Sequence, residues 1–331
     1  MQEKLTAYFI ENKGYSDSLA YIMSLIICGM ISRSPHRSKQ IIEVIQNTHI
    51  WCGDALAITD DRVRNVFEQT PARGLYDPIP ILNTLDLDNI DLDSIENYIY
   101  LNFDFDPSDI LNIRTLAHEL GHAINTKTLL DKKKHIMTEF CGCSPTIYKL
   151  LLPPQEGIVY KDCISCDAYG LREALNSLHT NDLLKSVFGK GTKLSYAVMT
   201  EVLSQFRELY GLEQELLLAE ETNDLDLLKQ TITRKASPKK LIKLYKREPA
   251  DVLIEYCDKI ADIYWMKDRN DHISVAQKLT DEVTTYFGLN KKFERIVVAE
   301  LLPPDDTSFG AFQPIAMTDK RENLMTQRRG R

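Results

Sequence analysis

Apolar residues recur at spacings of three and four over most of the first seventy positions. "LTAYFIENK", "SLAYIMSLIICGMI" and "SKQIIEVIQNTHIWCGDALAITDDRVRNVFEQ" read as helices, interrupted by "RSPHRS". A stretch rich in proline, glycine and aspartate follows, "TPARGLYDPIPILNTLDLDNIDLDS". The period then changes to two. In "NYIYLNFDF", residues 97–105, Tyr98 and Tyr100 alternate with Ile99 and Leu101, the clearest strand in the chain. In "FDPSDILNIRTLAHELGHAINTK" the helical period returns. Asp106 can cap there, Pro107 suits the first turn, and Asp109 stands three after the cap. Residues 141–166 are irregular and predict a strand pair or a long loop. Helices are predicted over residues 170–178, 194–210, 213–231, 238–246, 249–269 and 274–287, and "PPDDTSFG" ends the packed part.

These elements predict an α+β fold, mainly α, with no internal repeat. The expected organisation is an N-terminal helical part over 1–75, a catalytic core over 76–210, a C-terminal helical part over 211–302, and a polar, disordered tail over 303–331. Composition narrows the function classes. Apolar and charged fractions of 44% and 27% are those of a soluble globular chain, and a net charge of −8 argues against a nucleic-acid-binding surface. The most apolar stretch, residues 19–31, is too short to span a bilayer and reads as a buried helix. The start "MQEKLTAYFIENKGYSD" lacks the pattern of a signal peptide, and seven cysteines is an odd number. Reduced thiols in the cytoplasm are the expectation, with export by a signal-less route left open.

The chemistry concentrates in "TLAHELGHAINT", residues 115–126. His118 and His122 are four apart, about one helical turn, so both imidazoles project from one face and can share a zinc ion. Glu119 beside them is placed to take a proton from water that zinc has made acidic. On the helical wheel Ile113, Leu116, Leu120 and Ile124 gather opposite His118, His122 and Asn125, so the histidines are expected to face a cleft. Gly121 leaves room for a close neighbour. A catalytic zinc ordinarily takes three protein ligands. A third histidine in the metzincin position is excluded by Asn125 and Thr128. The carboxylate candidates are Glu139, Glu156, Asp167, Glu173 and Glu201. Glu173 falls opposite the apolar face of Leu171, Ala174, Leu175 and Leu178; Glu201 is also on a polar side but much further along the chain, so Glu173 is favoured.

"TLAHELGHAIN" followed about fifty residues later by "GLREALNSL" resembles the gluzincin-type zincins, and is most similar to bacterial zincin-like proteins of mostly unassigned substrate. The resemblance covers roughly residues 95–230. It implies a zincin-like core and a zinc peptidase acting on a peptide or protein, most simply as an endopeptidase. His118, His122 and Glu173 would be its ligands and Glu119 its base. The sequence departs from that pattern at Leu171 and Arg172, where small or amide residues are usual. The strand over 97–105 stands where a zincin strand pairs with extended substrate, against the equal alternative of a plain half-buried strand. Tyr169, Tyr196 and His135 are candidates to stabilise an oxyanion. Cys141, Cys143, Cys163 and Cys166 form C-x-C and C-x-x-C pairs that could hold a structural zinc, against the alternative of unliganded thiols. Two other functional readings compete with the peptidase: a non-catalytic binding or regulatory protein on the same fold, and a zinc hydrolase of a non-peptide substrate.

Overall fold

The computed structural model describes residues 1–70, 72–78, 82–83, 96–151, 158–189, 196–236, 247–266, 269–289, 293–302 and 309–310. Helices predominate beside two small sheets, so the fold is α+β and mainly α. α1 (Gln2–Lys13), α2 (Asp17–Arg33) and α3 (Ser38–Gln46) form the N-terminal part. α2 begins where Ser16 accepts the Leu19 N–H, and its apolar residues are buried against α1 and the helices that follow. Among the described residues no single helix is long and apolar enough to cross a membrane.

The continuous helix predicted over 38–69 does not form. It parts at Asn47 into β1 (Thr48–Cys52), a 3-10 turn over Ala55–Ala57, and α4 (Asp61–Gln69). Asp54 and Asp60 cap the later pieces, accepting from Leu56 and Arg62 N–H, and "THIWC" is rich in β-favouring side chains with a partner strand available. That partner is β4 (Asn97–Leu101), parallel to β1 from Thr48↔Asn97 to Cys52↔Leu101. Local period could not reveal a pairing with residues fifty positions away.

The first sheet runs β1-β4-β2-β9, with β2 (Ala72–Asp77) antiparallel to β4 and β9 (Phe309–Gly310) parallel to β2. The two-residue period of β4 places Ile99 and Leu101 in the N-terminal core, and Tyr100 in a smaller cluster with Val63, Phe67 and Leu75. β4 is central, and both its edges are paired. It therefore offers no edge to an extended substrate, which leaves the plain packed strand of the two readings of residues 97–105.

α5 (Ile110–Ile124) carries the histidines and starts later than predicted. Its cap is Asp109, whose carboxylate accepts the Leu111 N–H at 2.8 Å, while Asp106 accepts from the Ser108 N–H and hydroxyl in the preceding turn. An antiparallel sheet follows in the order β3-β8-β7-β6-β5: β5 (Thr126–Asp131), β6 (Ile136–Cys141), β7 (Ser144–Leu151) and β8 (Ile158–Cys166), with β3 (Leu82–Asn83) at the edge. The region predicted as a strand pair or a long loop forms the strand pair β7–β8, with a register shift at Ile147/Tyr148, within a four-stranded meander.

Then come α6 (Tyr169–Phe188), α7 (Ala197–Tyr210), α8 (Glu213–Thr222), α9 (Leu225–Lys235), α10 (Pro249–Trp265) and α11 (Ile273–Phe287). The single helix predicted over 213–231 is two, parted at Asn223 with φ 56° and recapped by Asp224. The helix predicted over 238–246 lies outside the described residues, as does the tail apart from Phe309–Gly310. α6 belongs to both cores. Leu171, Leu175 and Leu178 pack with α7–α11, while Leu183 and Leu184 pack with α2 and α5. It is this helix that fixes the C-terminal half against the histidine helix.

Candidate metal centre

Every residue of α5 from Asn112 to Ile124 is buried, so its polar stripe faces protein. Ile113, Leu116, Leu120 and Ile124 join the N-terminal core, and the histidines turn away from them toward α6. Among the described residues no open cleft stands in front of them: His118, Glu119, His122 and Glu173 are exposed by only 1%, 1%, 2% and 0%. An open pocket does lie behind α5, lined by Arg33, Arg37, His179 and Glu220, but it reaches neither histidine. The wheel gave the direction correctly; it could not report that α6 and the β6–β7 turn cover that direction.

His118 Nε2 and His122 Nε2 are 3.0 Å apart. Oε2 of Glu173, from the first turns of α6, lies 3.2 Å from the one and 3.3 Å from the other. Ligands about 2.1 Å from a tetrahedral ion stand about 3.4 Å from each other. The three atoms therefore already approximate one face of such a coordination shell, and they form a group that could hold a metal ion. Glu201, the rival third ligand, is elsewhere on α7, where Gln205 Nε2 donates to it at 2.9 Å. Glu139 is buried on β6 outside the group, Asp167 is exposed, and Glu156 lies outside the described residues.

Asn176, one turn after Glu173, fixes the crossing of α5 and α6. Its Nδ2 donates to the His118 carbonyl at 2.8 Å. A Cβ added at Gly121 would sit 2.2 Å from Asn176 Oδ1, so the glycine of the motif makes room for this clamp. Arg37 closes the far end of α5, donating to the Ile124 carbonyl at 2.6 Å and to Asn125 Oδ1 at 2.8 Å.

Electrostatics separates the roles of these groups. Burial pushes the Glu119 carboxyl up to about 8, with the nearby Glu173 charge acting in the same direction. The Tyr76 main chain hydrogen-bonds the Glu119 carboxylate, and Glu119 Oε1 has no partner among the described residues. Burial lowers His118 to about 4. Burial acts on His122 in the same sense but is outweighed by the Glu173 and Cys141 charges, which raise it well above the ordinary range. Burial opposes ionisation of Glu173 too, and the His122 and Arg172 charges overcome it, so that carboxyl titrates well below its usual range. The result is an ionised carboxylate facing two imidazoles, beside a protonatable carboxyl with one free oxygen.

Three groups support the site in ways the sequence did not suggest, Cys141 among them having been a candidate for the thiolate site. Arg172 donates to Glu173 Oε1 from Nε at 3.1 Å and Nη2 at 2.8 Å. Cys141 Sγ lies 3.2 Å from His122 Nδ1. Asn176 is the third. The residue that weakened the resemblance, Arg172, is thus the one that grips the carboxylate. The four-thiolate site is not formed: Cys143 is buried in the C-terminal core, Cys166 meets the Thr146 hydroxyl, and among the described residues the His118–His122–Glu173 group alone has metal-ligand geometry.

Of the candidates for oxyanion stabilisation, Tyr169 is tied to the Asp258 carbonyl and to Asp262, and His135 is exposed in a strand turn. Tyr196 alone faces the group. It is fully buried at the start of α7, with its ring 6.5 Å from that of His118. Comparison with family models, with curated proteins and with solved structures found no match, so what this centre does has to be read from its own atoms.

Proposed function

We propose that the chain is a zinc-dependent peptidase of zincin-like architecture, in which His118, His122 and Glu173 hold the ion and Glu119 is the base. The observation that carries this reading is the convergence of three ligand atoms within 3.3 Å of one another, beside a buried carboxyl with an orphaned oxygen. An unpartnered buried oxygen costs on the order of 1–3 kcal/mol, and such a cost fits a group whose partner is a water or substrate atom. Two imidazoles and a carboxylate are the donor set of a hydrolytic zinc site, and the fourth position of a tetrahedral ion remains for water or substrate. When bound, zinc supplies a Lewis acid and makes water acidic enough to lose a proton near neutral pH.

The chain's own residues supply the rest. Glu119, whose Oε1 is free, would accept a proton from water there and pass it to the leaving amine. Tyr196 presents a phenol on the His118 side, where an oxyanion would develop. Cys141 accepts from His122 Nδ1–H, which leaves Nε2 as the lone pair toward the ion.

One observation favours a second reading. The group is sealed from solvent, as suits an ion that is retained rather than used, and so a non-catalytic cation-holding protein is the rival. A single experiment separates them. The purified protein, supplied with zinc, is expected to carry about one ion and to cleave a mixed peptide library. Glu119→Gln should keep the ion and lose about 10²–10⁴-fold in rate. Zinc retained without cleavage by the wild-type chain ends the peptidase reading, and no bound ion of any kind in the wild-type chain ends both readings.

A further inference from the structure

We infer that Arg172 is a positioning residue that makes Glu173 a one-oxygen ligand, an inference that rests on reading the group as a cation site. Neighbours in a helix are about 100° apart around the axis and do not ordinarily face each other. Here the Arg172 guanidinium folds across to its own neighbour and sets both Nε and Nη2 on a single oxygen, Oε1 of Glu173. A carboxylate oxygen has two lone pairs, and two donors occupy both of them. Oε1 has nothing left for an ion. Oε2 alone faces the histidines, at 3.2 and 3.3 Å.

A carboxylate on a cation commonly exchanges one-oxygen for two-oxygen ligation, and the second oxygen then takes a coordination position. Arg172 removes that option. Three ligands that each supply one atom leave the fourth tetrahedral position open, which is what a hydrolytic site needs and a structural site lacks. The burial of Arg172 points the same way. It is among the largest fully buried side chains, and a buried guanidinium is tolerated only where a carboxylate compensates it.

The test substitutes cobalt for zinc, because the visible spectrum of cobalt reports coordination number and four-coordinate ions absorb much more strongly than five-coordinate ones. The wild-type chain is expected to show the four-coordinate spectrum. Arg172→Met should bind cobalt about 10–100-fold more weakly and lose that spectrum. Arg172→Lys keeps the charge without the planar fork, and should recover part of the affinity but not the spectrum. Unchanged affinity and spectrum in either variant overturn the inference. A five-coordinate wild-type spectrum overturns it as well, without any variant having to fold.

A second readout needs no metal. In the chelated wild-type chain an arginine Nε–H resonance should exchange slowly with solvent and disappear in Glu173→Gln; its absence from the wild type overturns the pairing itself. Failure to bind any ion, with that resonance present, counts against the peptidase and leaves the Arg172–Glu173 clamp standing.

Discussion

Gly170 sits where α6 crosses α10, three residues before Glu173, and its replacement by alanine tests how tightly that crossing sets the site. A Cβ at 170 would lie 2.2 Å from the Cys257 carbonyl oxygen, 2.4 Å from its carbon and 2.6 Å from the Asp258 nitrogen. All three atoms are main chain of a helix, so no side chain can swing aside. To restore ordinary contact the two helices must part by about 1 Å, and forced overpacking of this kind costs about 1–3 kcal/mol or more. The opposing term is the better helix propensity of alanine, at most about 1 kcal/mol and less in a first turn. Asp258 also accepts the Gly170 N–H at 2.8 Å, and that bond stretches when the helices separate. The steric cost wins. Gly170→Ala should lose about 2 kcal/mol and melt about 4–8 °C lower, on a scale of about 2–4 °C per kcal/mol. Because α6 carries both Glu173 and Asn176, zinc affinity should fall as well, by about tenfold or more, as happens when a supporting contact is lost. Differential scanning fluorimetry in the presence of chelator gives the first number, and competition with a zinc indicator gives the second. A variant that melts with the wild type and binds zinc equally would show that the crossing yields without moving the carboxylate, and the placement of Glu173 by α10 would be refuted.

Asp258 itself gives a pH signature. Burial raises its carboxyl to about 6, so the folded chain binds a proton that the unfolded chain releases near 3.8. Stability should therefore be greatest below pH 3.8 on this account and fall by about 3 kcal/mol up to pH 6. Asp258→Asn keeps an oxygen for the Gly170 N–H and should lack that slope in urea titrations between pH 4 and 7; parallel profiles for the two chains reject the assignment. Cys141→Ala removes the acceptor at His122 Nδ1 and should weaken zinc binding about 10–100-fold, with Cys141→Ser restoring most of it because a hydroxyl also accepts. Glu173→Gln should weaken zinc binding by more than that roughly 10–100-fold outer-shell loss, while Glu201→Gln leaves it unchanged; equal effects in equilibrium dialysis would return the third ligand to doubt.

The legible parts of the sequence are those fixed by one local period. The 3.6-residue repeat sets which faces of α5 and α6 are polar, and so His118 and His122 could be placed together from spacing, while Glu173 remained one of several carboxylate candidates. The alternation in residues 97–101 did the same for β4. What spacing could not carry is non-local. β1 has a helical period and is a strand only because β4 lies beside it, and β4 has no free edge because β1 and β2 flank it in three dimensions. The start of α5 moved because Asp106 found Ser108 as a nearer partner, leaving the cap to Asp109.

The most informative misreading concerns polarity. A polar stripe on a helix normally means water, and the wheel of α5 therefore suggested a cleft. The structure covers that stripe with another helix whose facing residues are also polar: Glu173, Asn176 and, across the turn, the Arg172 guanidinium. Two polar helix faces buried against each other are costly unless each group finds a partner. Asn176 finds the His118 carbonyl, and Arg172 finds Oε1 of Glu173. The histidine Nε2 atoms and Oε2 of Glu173 have chiefly one another, at separations that suit an ion better than three competing hydrogen bonds. On this argument the motif and its burial are not in conflict. Sealing the face is what forces the ligand atoms together, and the same sealing makes access to Glu119 the step on which the peptidase and its non-catalytic rival part.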